Sequence, residues 1–593
     1  MRKICTVVLL LGFAVFAFAG GGAKEQKLKF DKSMKITPIV DGDKVTWHHP
    51  LVKRHGGQNT NAFGPGKFLM LSTYDYGSNG NVHNNLVDYE DGILVFCRMG
   101  ATVAAPATTD RGSYWAVYDG SAWSTPVKIE TLRRGWTDLS ALSDGSSVIS
   151  SHVASEVNID AGKGFGSFTS RLTGHLPGNP SPGQWPVITV AGADNIIVCA
   201  TNAGDISGVG GAKQVALSTN KGMTWTHRAL LPDTSVRKPA FGADDQAIDS
   251  YQSKVAVIVA ETGGDIHLWQ SADAGATWTY TNVTKYPLDI PVGSTATRPY
   301  GNCDVIYDNN GNPHIFWETL LATQDTVGTA LDLAFGTTSP IIHWSQASGF
   351  DNVVSFAQIP NAAQDNLVFA AGAPSAQLDA NMTLTGQLNA GVDKQGNIHA
   401  VFAAFRPTDI DPTDSTHYTD IYAVRSNDGG NTWSAPANLT NTPKSEDLWP
   451  SLADNVRDSL RIIYQTDGST GGNLQGGGAN SPARYVYYVA PRLLVSVNEK
   501  PLDRLPSGFA LRQNYPNPFN PSTQIDFDLP KAAKVKLAIY DVTGKLVATL
   551  VDGKMSEGTH NVTWNASKSP SGVYFTKLET ESFSSVKKMV LMK

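Results

Sequence analysis

The feature that most constrains this chain is a spaced octapeptide, Ser426-Asn427-Asp428-Gly429-Gly430-Asn431-Thr432-Trp433. It returns as Ser271-Ala272-Asp273-Ala274-Gly275-Ala276-Thr277-Trp278 and as Ser218-Thr219-Asn220-Lys221-Gly222-Met223-Thr224-Trp225. Each copy follows a short apolar run and keeps Ser, Asp or Asn, Gly, Thr and Trp at fixed offsets. The pattern predicts a tight β-hairpin. Glycine takes the positive φ, the Asp or Asn side chain bonds turn amides, and the indole returns to the core. Burying one such indole contributes on the order of 2–3 kcal/mol.

The hairpins sit inside a longer repeat. From residue 66 to 490 a unit recurs roughly every 45 to 65 residues, a spacing suited to propeller blades. Units open near Trp136-Thr137, Trp185-Pro186, Lys238-Pro239, Arg298-Pro299 and Trp449-Pro450. An apolar second strand follows a polar turn, most clearly in Gly311-Asn312-Pro313-His314-Ile315-Phe316-Trp317. Second strands are expected at 93–97, 148–151, 196–201, 255–260, 314–317, 399–405 and 461–464, which counts seven blades. The short stretch between Arg133 and Gly174 leaves six as the alternative. Sheets this apolar must cover both faces, and radial repetition does so while exposing only short edges. At 593 residues the chain exceeds one ordinary domain. The expected fold is all-β: a seven-bladed (or six-bladed) β-propeller, then a small Ig-like antiparallel β-sandwich.

With strand one innermost, the residues just after each second strand meet at one mouth of the ring. They are Arg98, His152, Asn202, Glu261, Glu318, Arg406 and Gln465, all polar. Lys238 and Arg298 join them from first-strand starts, with Tyr300 just inside. Such a ring of cations and carboxylates suits an acidic or hydroxylated ligand.

The octapeptide resembles the Asp-box of sialidase-like β-propellers. The resemblance implies that Asn220, Gly222, Trp225, Asp273, Gly275, Trp278, Asp428, Gly430 and Trp433 are structural and lie on the rim away from the pocket. It also implies candidate roles at the mouth. Arg98, Arg298 and Arg406 would clamp a carboxylate, Glu318 or Glu261 would act as general base, and Tyr300 or Tyr464 as nucleophile. Only Arg298-Pro299 echoes the Arg-Ile-Pro strand of sialidases, and no Asp stands where their acid/base would.

The two ends describe a route. Residues 1–19 read as a signal peptide, with Arg2 and Lys3 before an apolar run and Ala17-Phe18-Ala19 at its end. Residues 20–65 form a polar N-terminal extension, and 491–512 a Pro-interrupted linker. Residues 513–593 alternate as six strands. They resemble the type A C-terminal sorting domain of the type IX secretion system, through Asn514-Tyr515-Pro516-Asn517-Pro518-Phe519-Asn520-Pro521, Ile539-Tyr540-Asp541-Val542-Thr543-Gly544, Ser571-Gly572-Val573-Tyr574-Phe575 and Lys587-Lys588-Met589-Val590-Leu591. The resemblance implies export across an outer membrane by that machinery.

Other chemistry is sparse. Cys97, Cys199 and Cys303 remain once the leader with Cys5 is removed, an odd count that reads as small buried hydrophobes. No cofactor is expected. The acidic loop Asp409-Ile410-Asp411-Pro412-Thr413-Asp414 is a candidate for structural Ca²⁺ without the spacing of a known calcium loop. His267, His314 and His399 recur at comparable strand positions and read as packing residues. A net charge of −6 without a basic block argues against nucleic acid, and the mature chain has no stretch to cross a bilayer as a helix. The reading is a secreted or cell-surface protein binding extracellular glycan or surface protein. The alternatives are a sialidase-like exo-glycosidase and a structural surface-layer protein.

Overall fold

A computed structural model describes residues 27–29 and, from 64 onward, all but 74–80, 90–91, 103–109, 153–155, 161–166, 180–182, 203, 236–238, 288, 293, 325–330, 335–339, 360–382, 411–416, 469–482, 492–508, 512–513, 515–516, 518, 530–532, 556–557, 581 and 593. The signal peptide, nearly all of the N-terminal extension, Lys238 and most of the acidic loop lie outside the described residues. The chain divides into two units, residues 1–495 and 496–593. Among the described residues no helix is long and apolar enough to cross a membrane.

Among the described residues seven sheets follow one another in the first unit, each containing a four-strand antiparallel set. The innermost strands are Leu86–Asp88, Gly135–Ala141, Gly183–Ala191, Gln246–Tyr251, Thr295–Tyr307, Thr385–Asp393 and Glu446–Leu452, and we number the blades in that order. The second strands of blades 3, 4 and 6 are almost wholly buried, which is why they read as unbroken apolar runs. Blade 7 takes its outermost strand from the start of the propeller. Lys67–Ser72 pairs antiparallel with Ala483–Pro491, so the two ends of this unit are locked into one sheet.

Side-chain hydrogen bonds between inner strands run all the way round. Asp138 accepts the Asn84 amide at 2.8 Å and the Ile188 amide at 2.7 Å, joining blades 1, 2 and 3. Thr189 and Ser250 hydroxyls meet at 2.8 Å between blades 3 and 4. Asp249 accepts from Tyr307 at 2.8 Å, Asp304 from Ala390 at 2.8 Å and Asn389 from Leu452 at 2.7 Å. Ser451 then accepts from Asn85 at 2.9 Å, returning from blade 7 to blade 1. The sheets therefore close on themselves as a propeller.

The three octapeptides join third and fourth strands of blades 3, 4 and 6. In each, the serine hydroxyl accepts the glycine amide, at 2.8 Å for Ser218, 2.9 Å for Ser271 and 2.8 Å for Ser426. Asp273 accepts both the amide and the hydroxyl of Thr277, and Asp428 does the same for Thr432. Two successive residues hold positive φ, such as Ala274 at 53° and Gly275 at 88°, the requirement of a type I′ turn. Each glycine faces the preceding blade, with Gly275 against Ile197 and Gly430 against His343. These hairpins staple neighbouring blades together.

The second unit is two facing sheets. One comprises Ala510–Leu511, Ser522–Leu529 and Gly558–Asn565, the other Leu546–Met555, Ala533–Asp541, Gly572–Glu579 and Ser584–Leu591. A core of Ile525, Phe527, Val535, Leu537, Ile539, Trp564, Tyr574, Leu578 and Met589 lies between them. The short strand Ala510–Leu511 is an addition to the six expected from sequence.

Candidate functional site

Second strands run further than their apolar cores suggest, and this relocates the predicted polar ring. Arg98 lies within Leu94–Gly100, Glu318 within Pro313–Thr323, Arg406 within Ile398–Ile410 and Gln465 within Ser459–Asp467. His152 and Asn202 are the last residues of their strands, and only Glu261 follows one. Six of the seven are strand residues rather than loop residues. A polar residue at the end of a hydrophobic run can still be laddered, and period alone cannot mark that boundary.

Most of these side chains are buried against their neighbours. Arg98 donates to the Trp449 carbonyl at 2.8 Å and sits 5.0 Å over the Tyr485 ring, and burial lowers its pKa to about 10. Glu318 is 1% exposed and accepts from Asn302 at 2.9 Å, the Thr383 hydroxyl at 2.9 Å and the Gln387 amide at 2.5 Å. Burial outweighs those donors and raises its carboxyl to about 7. Glu261 accepts the Ala240 amide at 3.2 Å and faces His267 at 3.3 Å. Asn202 donates to the Gly204 carbonyl at 2.6 Å, and Gln465 is buried opposite Leu448.

The three arginines are engaged by separate sets of neighbours. Arg298 is buried, with its guanidinium 4.5 Å over Tyr286 and donating to the Thr297 and Pro287 carbonyls at 3.1 Å. Arg406 is half-buried between Asp409 at 3.2 Å and Asp420 at 3.1 Å. Of the candidate nucleophiles, Tyr464 is fully buried and donates to the Pro65 carbonyl at 2.7 Å. Tyr300 is half-buried against the cluster around Ile290 and Leu320.

A recurring bulge explains several of these contacts. Inner strands slip register at one point, where Trp136, Trp185, Gln387 and Trp449 hold positive φ of 48°, 49°, 55° and 57°. Each bulge amide donates to a side chain of the preceding blade: Trp136 to Met99 Sδ at 3.2 Å, Trp185 to His152 Nδ1 at 3.3 Å, Gln387 to Glu318, and Trp449 to Gln387 Oε1 at 2.8 Å. A buried amide left unpaired costs about 1–3 kcal/mol, so these side chains brace the bulges. The Trp-Pro and Trp-Thr pairs that opened repeats in the sequence mark this bulge.

Sequence reasoning missed two groups. Asp138, Asp249 and Asp304 project from inner strands toward the axis, and Asp454 follows the blade 7 inner strand and is exposed. Burial first, then mutual repulsion, pushes Asp304 well above the usual carboxylate range; burial alone drives Asp249 to about 7. The segment 81–85 crosses this space. Asn81 bonds the Gln246 carbonyl and the Cys303 amide, each at 2.6 Å, while Asn84 reaches Asp454 at 2.9 Å and His83 faces Asp244 at 3.3 Å. Contact with blades 2, 4, 5 and 7 from one pentapeptide places it across the ring axis.

The second group is basic and aromatic, where blades 1, 2 and 3 meet at the mouth. Arg111 lies 4.5 Å over Trp136 and donates to the Arg134 carbonyl at 2.8 Å. His152 packs edge-on to Trp136 at 5.0 Å and stacks on Trp185 at 5.3 Å with 15° between planes. Burial, then the charges of Arg111, Arg133 and Arg134, lower the His152 pKa to about 3, so the ring is neutral. Because Nδ1 accepts from the Trp185 amide, the proton resides on Nε2. Arg133 and Arg134 stand as single letters in the least regular repeat and Arg111 in the one before it, and nothing in their spacing joins Arg111 to Arg133.

The buried thiols Cys97, Cys199 and Cys303 are free, and burial raises all three pKa values. Among the described residues no group of His, Cys, Asp and Glu is arranged to hold a metal ion. Asp409, the described acid of the candidate calcium loop, is paired with Arg406 and Lys444. His267, His314 and His399 are buried in hydrogen bonds or ion pairs with Glu261, His343 and Asp393.

Residues 513–592 match the family model described as a secretion system C-terminal sorting domain. No curated protein matches the sequence. Among solved structures the chain is similar to PorZ, an essential bacterial surface component of the type IX secretion system of Porphyromonas gingivalis, at 13% identity and a TM-score of 0.35. That match covers 87% of this chain, which spans 60% of PorZ. It is also similar to an α-L-arabinanase of Penicillium chrysogenum, at 11% identity over 72% of this chain and 98% of that one, TM-score 0.34. A third is the NanB sialidase of Streptococcus pneumoniae, at 8% identity over 58% and 67%, TM-score 0.31. The sorting domain directs the chain through type IX secretion to the cell surface or the medium.

Proposed function

We propose that this exported propeller binds an extracellular glycan through the mouth at which its second strands end. The observation that carries this reading is the half-buried indole of Trp185, held at a positive-φ bulge and stacked on His152. An exposed aromatic face next to fixed donors is how proteins hold sugar rings. The residues Arg98, His152, Asn202, Arg298, Arg406 and Gln465 flank this mouth in the proposal, and their part in it is to shape it.

Binding is favoured over turnover by the state of the acid candidates. Glu318 and Glu261 are buried and already accept hydrogen bonds from the fold, whereas a general base must reach its substrate proton directly or through one water. The test pairs a glycan array with a panel of chromogenic glycosides. We expect retention on the array without glycoside turnover. Turnover that disappears in the Arg298→Ala, Arg406→Ala double variant, with the fold intact, would establish the sialidase-like exo-glycosidase reading instead. Self-association without glycan retention would point to a surface-layer role, and retention of a surface protein alone would replace the glycan with a protein partner.

A further inference from the structure

The three octapeptide hairpins rest on different neighbours. Gly222 of blade 3 meets Ile159 and the aliphatic stem of Arg171, and Gly275 of blade 4 meets Ile197 and Leu217. Gly430 of blade 6 instead lies against the imidazole of His343. Trp433 of the same hairpin packs on that ring at 5.7 Å and on Phe316 at 6.0 Å. His343 stands on the third strand of blade 5, Pro340–Ser345, and is 0% exposed. Its ring stacks on His314 of the second strand, Pro313–Thr323, with centroids 5.1 Å apart and 15° between planes.

Nδ1 of His314 and Nε2 of His343 are 2.8 Å apart. A hydrogen bond between two imidazole nitrogens holds one proton, so one of the facing nitrogens must be bare. The pair therefore cannot carry a proton on all four nitrogens while this bond lasts. Its outer nitrogens have no close partner that would favour a charge. His314 Nε2 is 3.8 Å from Asp308, whose carboxylate already accepts from the Asn310 and Asn312 amides at 2.9 and 2.7 Å. His343 Nδ1 is 3.9 Å from Asp351. Both gaps exceed hydrogen-bond length. From blade 6, the hairpin's own carboxylate, Asp428, is turned to Thr432 and Ser426. Burial prevails over these distant acids and lowers the pKa of both rings, that of His343 to about 3 with a further push from the His314 ring.

We propose that the His314–His343 pair makes the blade 6 hairpin an acid-sensitive latch on blade 5. At neutral pH the two rings share one proton and give Gly430 and Trp433 a flat, uncharged seat. When the hairpin lifts, water reaches the rings and each takes up a further proton, with an ordinary pKa of about 6.5. The open form thus binds more protons than the closed one. Closure is fully favoured above pH ~6.5 and weakens as the pH falls below it. The hairpins of blades 3 and 4, seated on aliphatic groups, lack this dependence.

Hydrogen–deuterium exchange of the full chain at about pH 7 and about pH 5, corrected for the intrinsic chemical rate, reads the latch. Wild type is expected to lose protection at 426–433 by roughly tenfold or more at the lower pH, while 218–225 and 271–278 keep theirs. The double variant His314→Asn, His343→Gln puts a non-titrating amide group at each facing position and should keep equal protection at both values. Imidazole nitrogen NMR shifts of wild type give a second reading that needs no variant. At the lower pH both buried rings should stay neutral while the exposed His175 is protonated. Unchanged protection at 426–433, an equal loss in all three hairpins, acid sensitivity that persists in the double variant, or an imidazolium signal from both buried rings of the folded chain would each overturn the latch.

Discussion

The hydroxyl of Ser451 accepts the backbone amide of Asn85 at 2.9 Å across 366 positions of sequence. That bond joins the last blade to the first and completes a ring in which every inner strand is tied to its neighbour through a side chain. Both partners are buried, so water cannot substitute. Ser451→Ala should therefore cost about 1–3 kcal/mol, the penalty of an unpaired buried amide, measured by urea unfolding. Deleting Lys67–Ser72, which removes a whole strand of blade 7, should cost far more and broaden the transition.

The axial carboxylates set a pH dependence. Asp249 has a folded pKa near 7, well above its value in an unfolded chain, because burial disfavours its charge. The folded state thus binds the extra proton, and this contribution is fully present below pH ~4 and lost as pH rises through about 7. Asp249→Asn keeps the acceptor for the Tyr307 amide and removes the charge. It should stabilise the fold at pH 8 by about 1 kcal/mol or more, seen as a higher melting temperature, and by a smaller amount at pH 5. Melting curves at the two pH values check this.

Gly430 lies at φ 93° with the His343 ring where a side chain would go. Gly430→Ala must both strain the turn and displace a buried imidazole from the preceding blade. A loss of about 3 kcal/mol or more is expected. The matched substitution Gly429→Ala, where nothing lies within contact distance and φ is 72°, should cost only the backbone strain, about 1 kcal/mol. Parallel chemical denaturation of the two variants separates the effects.

Much of the fold was legible because it is periodic. The second strands and the octapeptide hairpins repeat in kind, and the indole and glycine of each hairpin have one stereochemical use. The mouth was harder. Glu318 and Arg98 read as ligand groups because polar residues after apolar runs usually face solvent, yet here the ladder continues past them and a neighbouring blade takes up their hydrogen bonds. The axial residues Asp138, Asp249 and Asp304 carry no local signal, since each sits in a different surrounding sequence. Asn81 and His83 gain meaning only from blades more than a hundred residues away.

The sorting domain folds around its own core, distinct from the propeller cores. Truncation after residue 512 should leave a propeller with unchanged melting behaviour that fails to reach the cell surface and accumulates inside the outer membrane. Fractionation of cells expressing full-length and truncated chains measures this directly. Surface delivery of the truncated chain would contradict the assignment of residues 513–592.

The central claim is that the mouth where second strands end, and not the face of the octapeptide hairpins, meets the ligand. Hydrogen–deuterium exchange with and without a retained glycan tests it most directly. The account predicts added protection at residues 133–136 and 183–186 and none at 218–225, 271–278 or 426–433. Protection confined to the hairpins, with the mouth unchanged, would contradict it.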